Sequence, residues 1–266
     1  MRTGMNYSLA QVRAQDPDRF HLAMVAPRVA QEPWIALAAF HLEISRTTHR
    51  VTDPNLGLIR LQWWQEVLDE IEGAGPVRGH QVALELAKFR AQLDFDTLRN
   101  LVQAYEVDLA ETPFDQVETL RAHLMQSAGG LLIAQSRFLN LEGAEAMANH
   151  LGCAFGFVGR ARAMAGGGAG SGGSGVTYPR LPTSWQDDPL LGVAEAIGQA
   201  AMHLDRAREL RRESSNSRAL SPLFAMGTLV EWWLRVFDQT PNPLGQSRFS
   251  RPLPFQALRL SFIRGG

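Results

Sequence analysis

The stretch Phe40 to Ile71, FHLEISRTTHRVTDPNLGLIRLQWWQEVLDEI, decides how the chain reads. Asp53-Pro54 within it is an N-cap followed by proline at the first helical position, where the missing N–H costs nothing and the fixed φ already suits a helix. Apolar residues recur at helical spacing from Pro54 to Ile71, and Gly73 with Gly75-Pro76 ends the run. At about 100° per residue, Ile59, Trp63, Trp64, Val67, Leu68 and Ile71 share one broad face, with Gln62, Gln65, Glu66 and Asp69 opposite. Arg60 falls in the middle of the apolar face. A desolvated, unpaired guanidinium is costly, so Arg60 either has a partner or runs past its neighbours to water.

The preceding helix supplies the partner. Pro33 is expected to open it and about Val51 to close it. Glu43, Arg46 and Arg50 fall within about 60° of one another, on the stripe that carries Ala36 and Ala39, between walls formed by Leu37, Phe40 and Ile44 and by Ile35 and Leu42. Small residues above a charged cluster describe either the wall of a polar cavity or a solvated face. Glu43 is expected to pair with Arg60 across the helix interface.

Outward from this pair the pattern stays helical. Ser8 is expected to cap LAQVRAQ, and Asp16-Pro17 repeats the cap-and-proline device. Further helices are predicted over 81–92, 94–110, 114–141, 143–164, 189–213 and 218–238. No stretch alternates with period two and β-branched residues do not cluster, so the fold class is all-α. Residues 1–240 read as a single helical domain, interrupted by a Gly/Ser-rich flexible loop at 165–177, natural or engineered. That loop contains seven glycines between Ala165 and Gly175. Its formal G-x-G-x-x-G match at Gly168, Gly170 and Gly173 lacks the preceding strand and following helix that a dinucleotide site requires. Residues 241–266 form a basic, apolar tail in which Arg248, Arg251, Arg259 and Arg264 interleave with Phe249, Leu253, Phe255, Leu258, Leu260, Phe262 and Ile263. Such a tail suits a peripheral contact with an anionic membrane surface, a partner, or the flank of its own domain.

At 266 residues and 45% hydrophobic, the chain can bury a full-sized core. Its 26 Lys and Arg balance 27 Asp and Glu, which gives no reason to expect a nucleic-acid partner. The one cysteine, Cys153, reads as core. There is no apolar run long enough to span a bilayer and no apolar leader at the start, so the expected location is cytoplasmic, or peripheral at the inner membrane.

Asp16-Pro17-Asp18-Arg19-Phe20, Ala38-Ala39-Phe40, Glu43-Ile44, Leu56-Gly57 and Ile59-Arg60-Leu61-Gln62-Trp63-Trp64 together resemble the squalene/phytoene synthase family. The resemblance continues through Asp108, Ser127-Ala128-Gly129-Gly130, Gly152-Cys153-Ala154 and Leu181-Pro182. It implies an isoprenoid-synthase-like helical bundle with a central cavity. Members of the family couple prenyl diphosphates with Mg²⁺ held by two Asp-rich motifs, because ionising a diphosphate requires hard cations on its oxygens. The first motif's aspartate positions fall on Ser45, Arg46 and His49. In the second, Arg162 matches the family arginine but the aspartate after it becomes Ala163. Mg²⁺ is therefore expected only if the chain is a transferase after all.

A divergent branch of the family lacks the aspartates, retains residues matching Glu43, Arg60 and Arg162, and is similar to the mitochondrial factor that assists assembly of respiratory complex I. The resemblance implies a non-catalytic protein with complex I subunits or assembly intermediates as partners. The alternatives are a prenyl-diphosphate transferase or a protein that binds an isoprenoid or anionic lipid. Glu43, Arg46, Arg50, Arg60 and Arg162 are the candidate polar-cavity residues.

Overall fold

The computed structural model describes residues 7–47, 53–109, 114–141, 143–166, 181–215 and 217–250, and no strand occurs among them. Helices α1 (Tyr7–Gln15), α2 (Pro17–Val25), α3 (Arg28–Ser45), α4 (Pro54–Glu72), α5 (Gln81–Ala87) and α6 (Phe95–Ala104) make up the first part of the bundle. A 3₁₀ turn at Val107–Leu109 leads to α7 (Val117–Leu124), which widens into a π turn at Met125–Gly129 and continues as α8 (Gly130–Ser136). Then come α9 (Ala144–Ala165), the short α10 (Thr183–Asp187), α11 (Pro189–Glu213) and α12 (Ser221–Asp238).

Two helices form the interior. In α3 every residue from Pro33 to Ile44 is buried, as expected of a helix enclosed on all sides, and α1, α2, α5 and α8 pack around it. In α9 a continuous buried face packs on α11, α12 and the π turn. Gly152 makes the last contact possible, since a Cβ there would collide with the Ala128 carbonyl and the Gly129 backbone. Helix α4 runs antiparallel to α3, with Trp64 edge-on to Phe40 at 5.2 Å between ring centroids. Helix α11 runs antiparallel to α9, with Gly192 beside Met164 and His203 beside Cys153. The Arg162 to Asp18 contact at 2.9 Å joins the end of α9 to the start of α2. As a result α3 and α9 finish at the same end of the bundle, and α4 and α11 begin there.

The caps that start α2 and α4 form as read: Asp16 accepts from the Arg19 amide and Asp53 from the Asn55 amide. Four local expectations are corrected. Pro33 does not open α3. It sits inside a helix that begins at Arg28, and the carbonyl that loses its intrahelical donor belongs to Val29, which is 80% exposed, at the solvent side of the first turn. The same helix ends at Ser45, short of Val51, with Arg46 as its C-cap. Ser8 lies within α1, where it is buried and its amide donates to Glu85 Oε2, so it is not a cap. Ile59 is 65% exposed, because Gly57 is the buried residue of that turn: Leu109 packs directly on the glycine, which turns Ile59 outward. Helix α10, absent from the sequence reading, is anchored by Trp185, whose ring is fully buried and donates to Glu195 Oε2. The Gly/Ser run from 167 onward and the tail beyond Ser250 lie outside the described residues.

Candidate functional site

About three turns of buried alanines and large apolar residues, from Pro33 to Leu42, carry α3 into the core before it delivers Glu43; the helix's other acid, Glu32, is exposed near its start. Glu43 is 4% exposed, so the solvated-face alternative does not hold for it. Its Oε1 accepts from Gln11 Nε2 of α1 at 2.5 Å, and its Oε2 lies 3.4 Å from Arg60 Nη2 of α4. The two charges read as facing each other across α3 and α4 do so. The Arg60 side chain is 39% exposed, so the pair connects the interior to the surface rather than lying wholly within it. A carboxylate buried to this depth is tolerable because both oxygens have partners.

The other candidate residues are distributed around the same end. Ser45 and Arg46 are half-buried at the close of α3, and the Ser45 hydroxyl donates back to the Leu42 carbonyl at 3.4 Å. His49 and Arg50 lie outside the described residues. Arg162 is committed. It donates to Asp18 Oδ2 at 2.9 Å and to the Phe249 carbonyl at 3.1 Å, and its guanidinium lies 4.0 Å from the centroid of the Trp233 ring. Three elements therefore hold Arg162, and it locks α2, α12 and the segment after α12 onto α9. Ala163, beside it, is half-buried.

The described positions do not fit Mg²⁺. A hydroxyl and a guanidinium stand at the end of α3 and a methyl group on α9, where hard carboxylate oxygens would be required. Among the described residues, no three His, Cys, Asp or Glu side chains are grouped so as to hold a metal ion.

Between these two helices lies a polar cluster that the sequence did not reveal. The Tyr105 hydroxyl and His41 Nε2 are 2.8 Å apart, and Asp108 Oδ2 lies 3.6 Å from His123 Nε2. Tyr105, His41, Asp108 and His123 are all at least nine-tenths buried. Burial, then the neighbouring Asp108 charge, pushes the Tyr105 hydroxyl above its ordinary range against the pull of Arg19 and Arg160. Burial, then Arg19 and His123, holds His41 well below 6.5. The Arg19 guanidinium is opposed by burial, but Asp16 outweighs that and raises it. At neutral pH the centre therefore offers a protonated phenol and a neutral imidazole. It can hydrogen-bond a polar group but supplies no cation cage. Four buried atoms, Gln11 Oε1, Arg19 Nε, His41 Nδ1 and Asp108 Oδ1, have no hydrogen-bond partner among the described residues. His41 and Tyr105 are 64 residues apart in sequence, so no local spacing could have announced the pair.

The same architecture occurs in a dehydrosqualene synthase crystallised with a ligand, at a TM-score of 0.70 and 12% identity, covering 97% of this chain and 95% of that one. It occurs again in the squalene synthase HpnC from Alicyclobacillus acidocaldarius, at 0.68 and 14%, covering 92% and 94%. These likenesses define the class: an all-α, isoprenoid-synthase-like bundle. Residues 12–166, more than half of the chain, match the family model described as squalene/phytoene synthase, and the chain belongs to that family. It is also similar to the complex I assembly factor 6 of Bos taurus, with 27% identity over 157 residues, 57% of this chain and 46% of that protein. The Homo sapiens protein of the same description is 27% identical over 158 residues, 58% of this chain and 47% of that one. The chain thus matches about half the length of each of these relatives.

Proposed function

We propose that this chain is a non-catalytic member of the squalene/phytoene synthase family that acts in assembly of respiratory complex I, on its subunits or assembly intermediates. One observation carries the reading: the positions that would hold magnesium are Ser45, Arg46, His49 and Ala163, and the neighbouring Arg162 is already bound to Asp18 and Trp233. The likeness to the assembly factors supports it, over the half of those proteins that the chain matches. The single helical domain, interrupted at 165–177 and followed by the basic tail, is part of this proposal. So is a location in the cytoplasm or at the inner membrane. No helix among the described residues is long and apolar enough to cross a membrane. The test is deletion of the gene. Complex I activity of isolated membranes falls while terpenoid content is unchanged; loss of a terpenoid with complex I intact would contradict the reading.

A second reading is favoured by a specific observation, the four buried polar atoms Gln11 Oε1, Arg19 Nε, His41 Nδ1 and Asp108 Oδ1 that lack a partner among the described residues. Leaving such atoms unpaired costs about 1–3 kcal/mol each, which a bound polar group would relieve. In this reading the interior holds an isoprenoid or anionic lipid without transforming it. Lipid extracted from the purified protein and identified by mass spectrometry tests it; a preparation carrying no lipid would count against it.

A further inference from the structure

Helices α4 and α11 begin with the same sequence device. Asp53-Pro54-Asn55-Leu56-Gly57 and Asp188-Pro189-Leu190-Leu191-Gly192 each place an aspartate cap, a proline in the first turn, a leucine at the third position and a glycine at the fourth. In both the glycine is packed against the core, Gly57 on Leu109 and Gly192 on Trp185 and Met164. With the glycines drawn inward, the leucines are forced out. Leu56, Leu58 and Ile59 are 55%, 43% and 65% exposed, and Leu190 and Leu191 are 47% and 43%.

The two starts lie at one end of the bundle and are linked through it. Leu109 contacts Gly57, the Phe114 carbonyl accepts from the Thr183 amide at 3.3 Å, and Trp185 contacts Gly192. Val107, on the turn that carries Leu109, is 47% exposed as well. Away from this end the exposed large apolar residues, Tyr7 on α1, Val29 on α3, Leu84 on α5 and Met202 on α11, are scattered over four helices. The chain leaves the described structure at this same end. Gln246 donates to the Ala165 carbonyl at the close of α9, and Ser250 abuts Gly166. The sixteen residues after Ser250 include Arg251, Arg259 and Arg264 and no acid.

We propose that this end of the bundle seats on a lipid bilayer, with Leu56, Leu58, Ile59, Leu190 and Leu191 entering the headgroup and acyl boundary. Two separated apolar prongs, rather than one groove, suit a fluid surface that closes around each side chain. The Asp53 and Asp188 carboxylates are occupied by the amides of Asn55, Leu190 and Leu191, so they oppose the approach less than free acids would. Glu106, Asp115 and Asp187 are exposed near this end, which makes the apolar side chains the main anchor. Neutral vesicles are therefore bound, and anionic lipid strengthens binding through the tail's arginines. The inference stands apart from the assembly reading, because it concerns the purified chain alone.

The test is co-flotation of the full chain with phosphatidylcholine vesicles, with and without phosphatidylglycerol. The chain floats with both, more strongly with the second. The combined substitution Leu56→Ser, Ile59→Ser, Leu190→Ser and Leu191→Ser lowers partitioning at least about tenfold, whereas Val29→Ser leaves it unchanged. All four positions are exposed, and thermal melting checks that the variant folds; Leu56→Ser alone, with a smaller loss, serves if it does not. A chain that fails to float, or a folded variant that floats like the original, overturns the proposal. So does a soluble dimer that these substitutions dissociate in place of any vesicle binding, which would assign the face to a second copy.

Discussion

Glu43, Arg60 and Arg162 are each neutralised by a partner within the fold. The first two neutralise each other between α3 and α4, and the third is held by Asp18, the Phe249 carbonyl and the Trp233 face. His41 and His203 behave differently, because burial holds both below the ordinary histidine range. His203 is pushed down to about 4, by burial and then by His150 and Arg121, and its Nδ1 lies 2.8 Å from that of His150. Two imidazoles meeting nitrogen to nitrogen share one proton and cannot both be charged. The consequence for stability has a definite sign. Above about pH 6.5 both folded and unfolded chains hold His203 neutral. Between there and about 4 the unfolded chain takes up a proton that the folded chain refuses, so stability falls with pH across that window. Urea midpoints measured from pH 7 to 4 decline, and His203→Gln flattens the decline by an amount of order 3 kcal/mol. An unaltered profile would show that the imidazole pair is not the cause. Cys153, against the same His203, is pushed up to about 12 by burial and is an inert thiol at neutral pH.

At the scale of the element, the caps and the apolar periodicity were readable because they are local. Asp16-Pro17, Asp53-Pro54 and the full extent of α11 formed as read. Pro33 misled because a proline marks a helix start only statistically, and here the helix tolerates it where the orphaned carbonyl belongs to exposed Val29. Ile59 misled because a helical wheel does not know that a neighbour will approach the glycine two residues before it. The Tyr105 cluster was illegible for a stronger reason: its partners come from α2, α3, the Val107–Leu109 turn, α7 and α9, and meet only in the folded bundle. Close helix approach yields a graded prediction. Gly152→Ala sets a methyl group against the backbone of the π turn, which cannot move cheaply, and costs about 3 kcal/mol or more, or roughly 6–12 °C in Tm. Gly57→Ala meets only the tip of the Leu109 side chain and costs less. Thermal melts of the two variants decide this, and equal losses would contradict it.

For the whole molecule, the bundle is that of the squalene/phytoene synthase family, while the proposed function rests on the resemblance placing Ser45, Arg46, His49 and Ala163 where the family's aspartates stand. Helices α3 and α9 finish at the same end of the bundle, where the resemblance would place a two-motif metal cage. What stands there is a hydroxyl, two guanidinium groups and a methyl. An arginine can meet a phosphate oxygen directly, so the proposed binding of an anionic lipid needs no metal, whereas ionisation of a diphosphate does. The most direct measurement is incubation of the purified chain with farnesyl or geranylgeranyl diphosphate and Mg²⁺, followed by extraction of any hydrocarbon product. The prediction is that none accumulates. Turnover on the order of 1 s⁻¹ or faster, the ordinary range for enzymes, would contradict it.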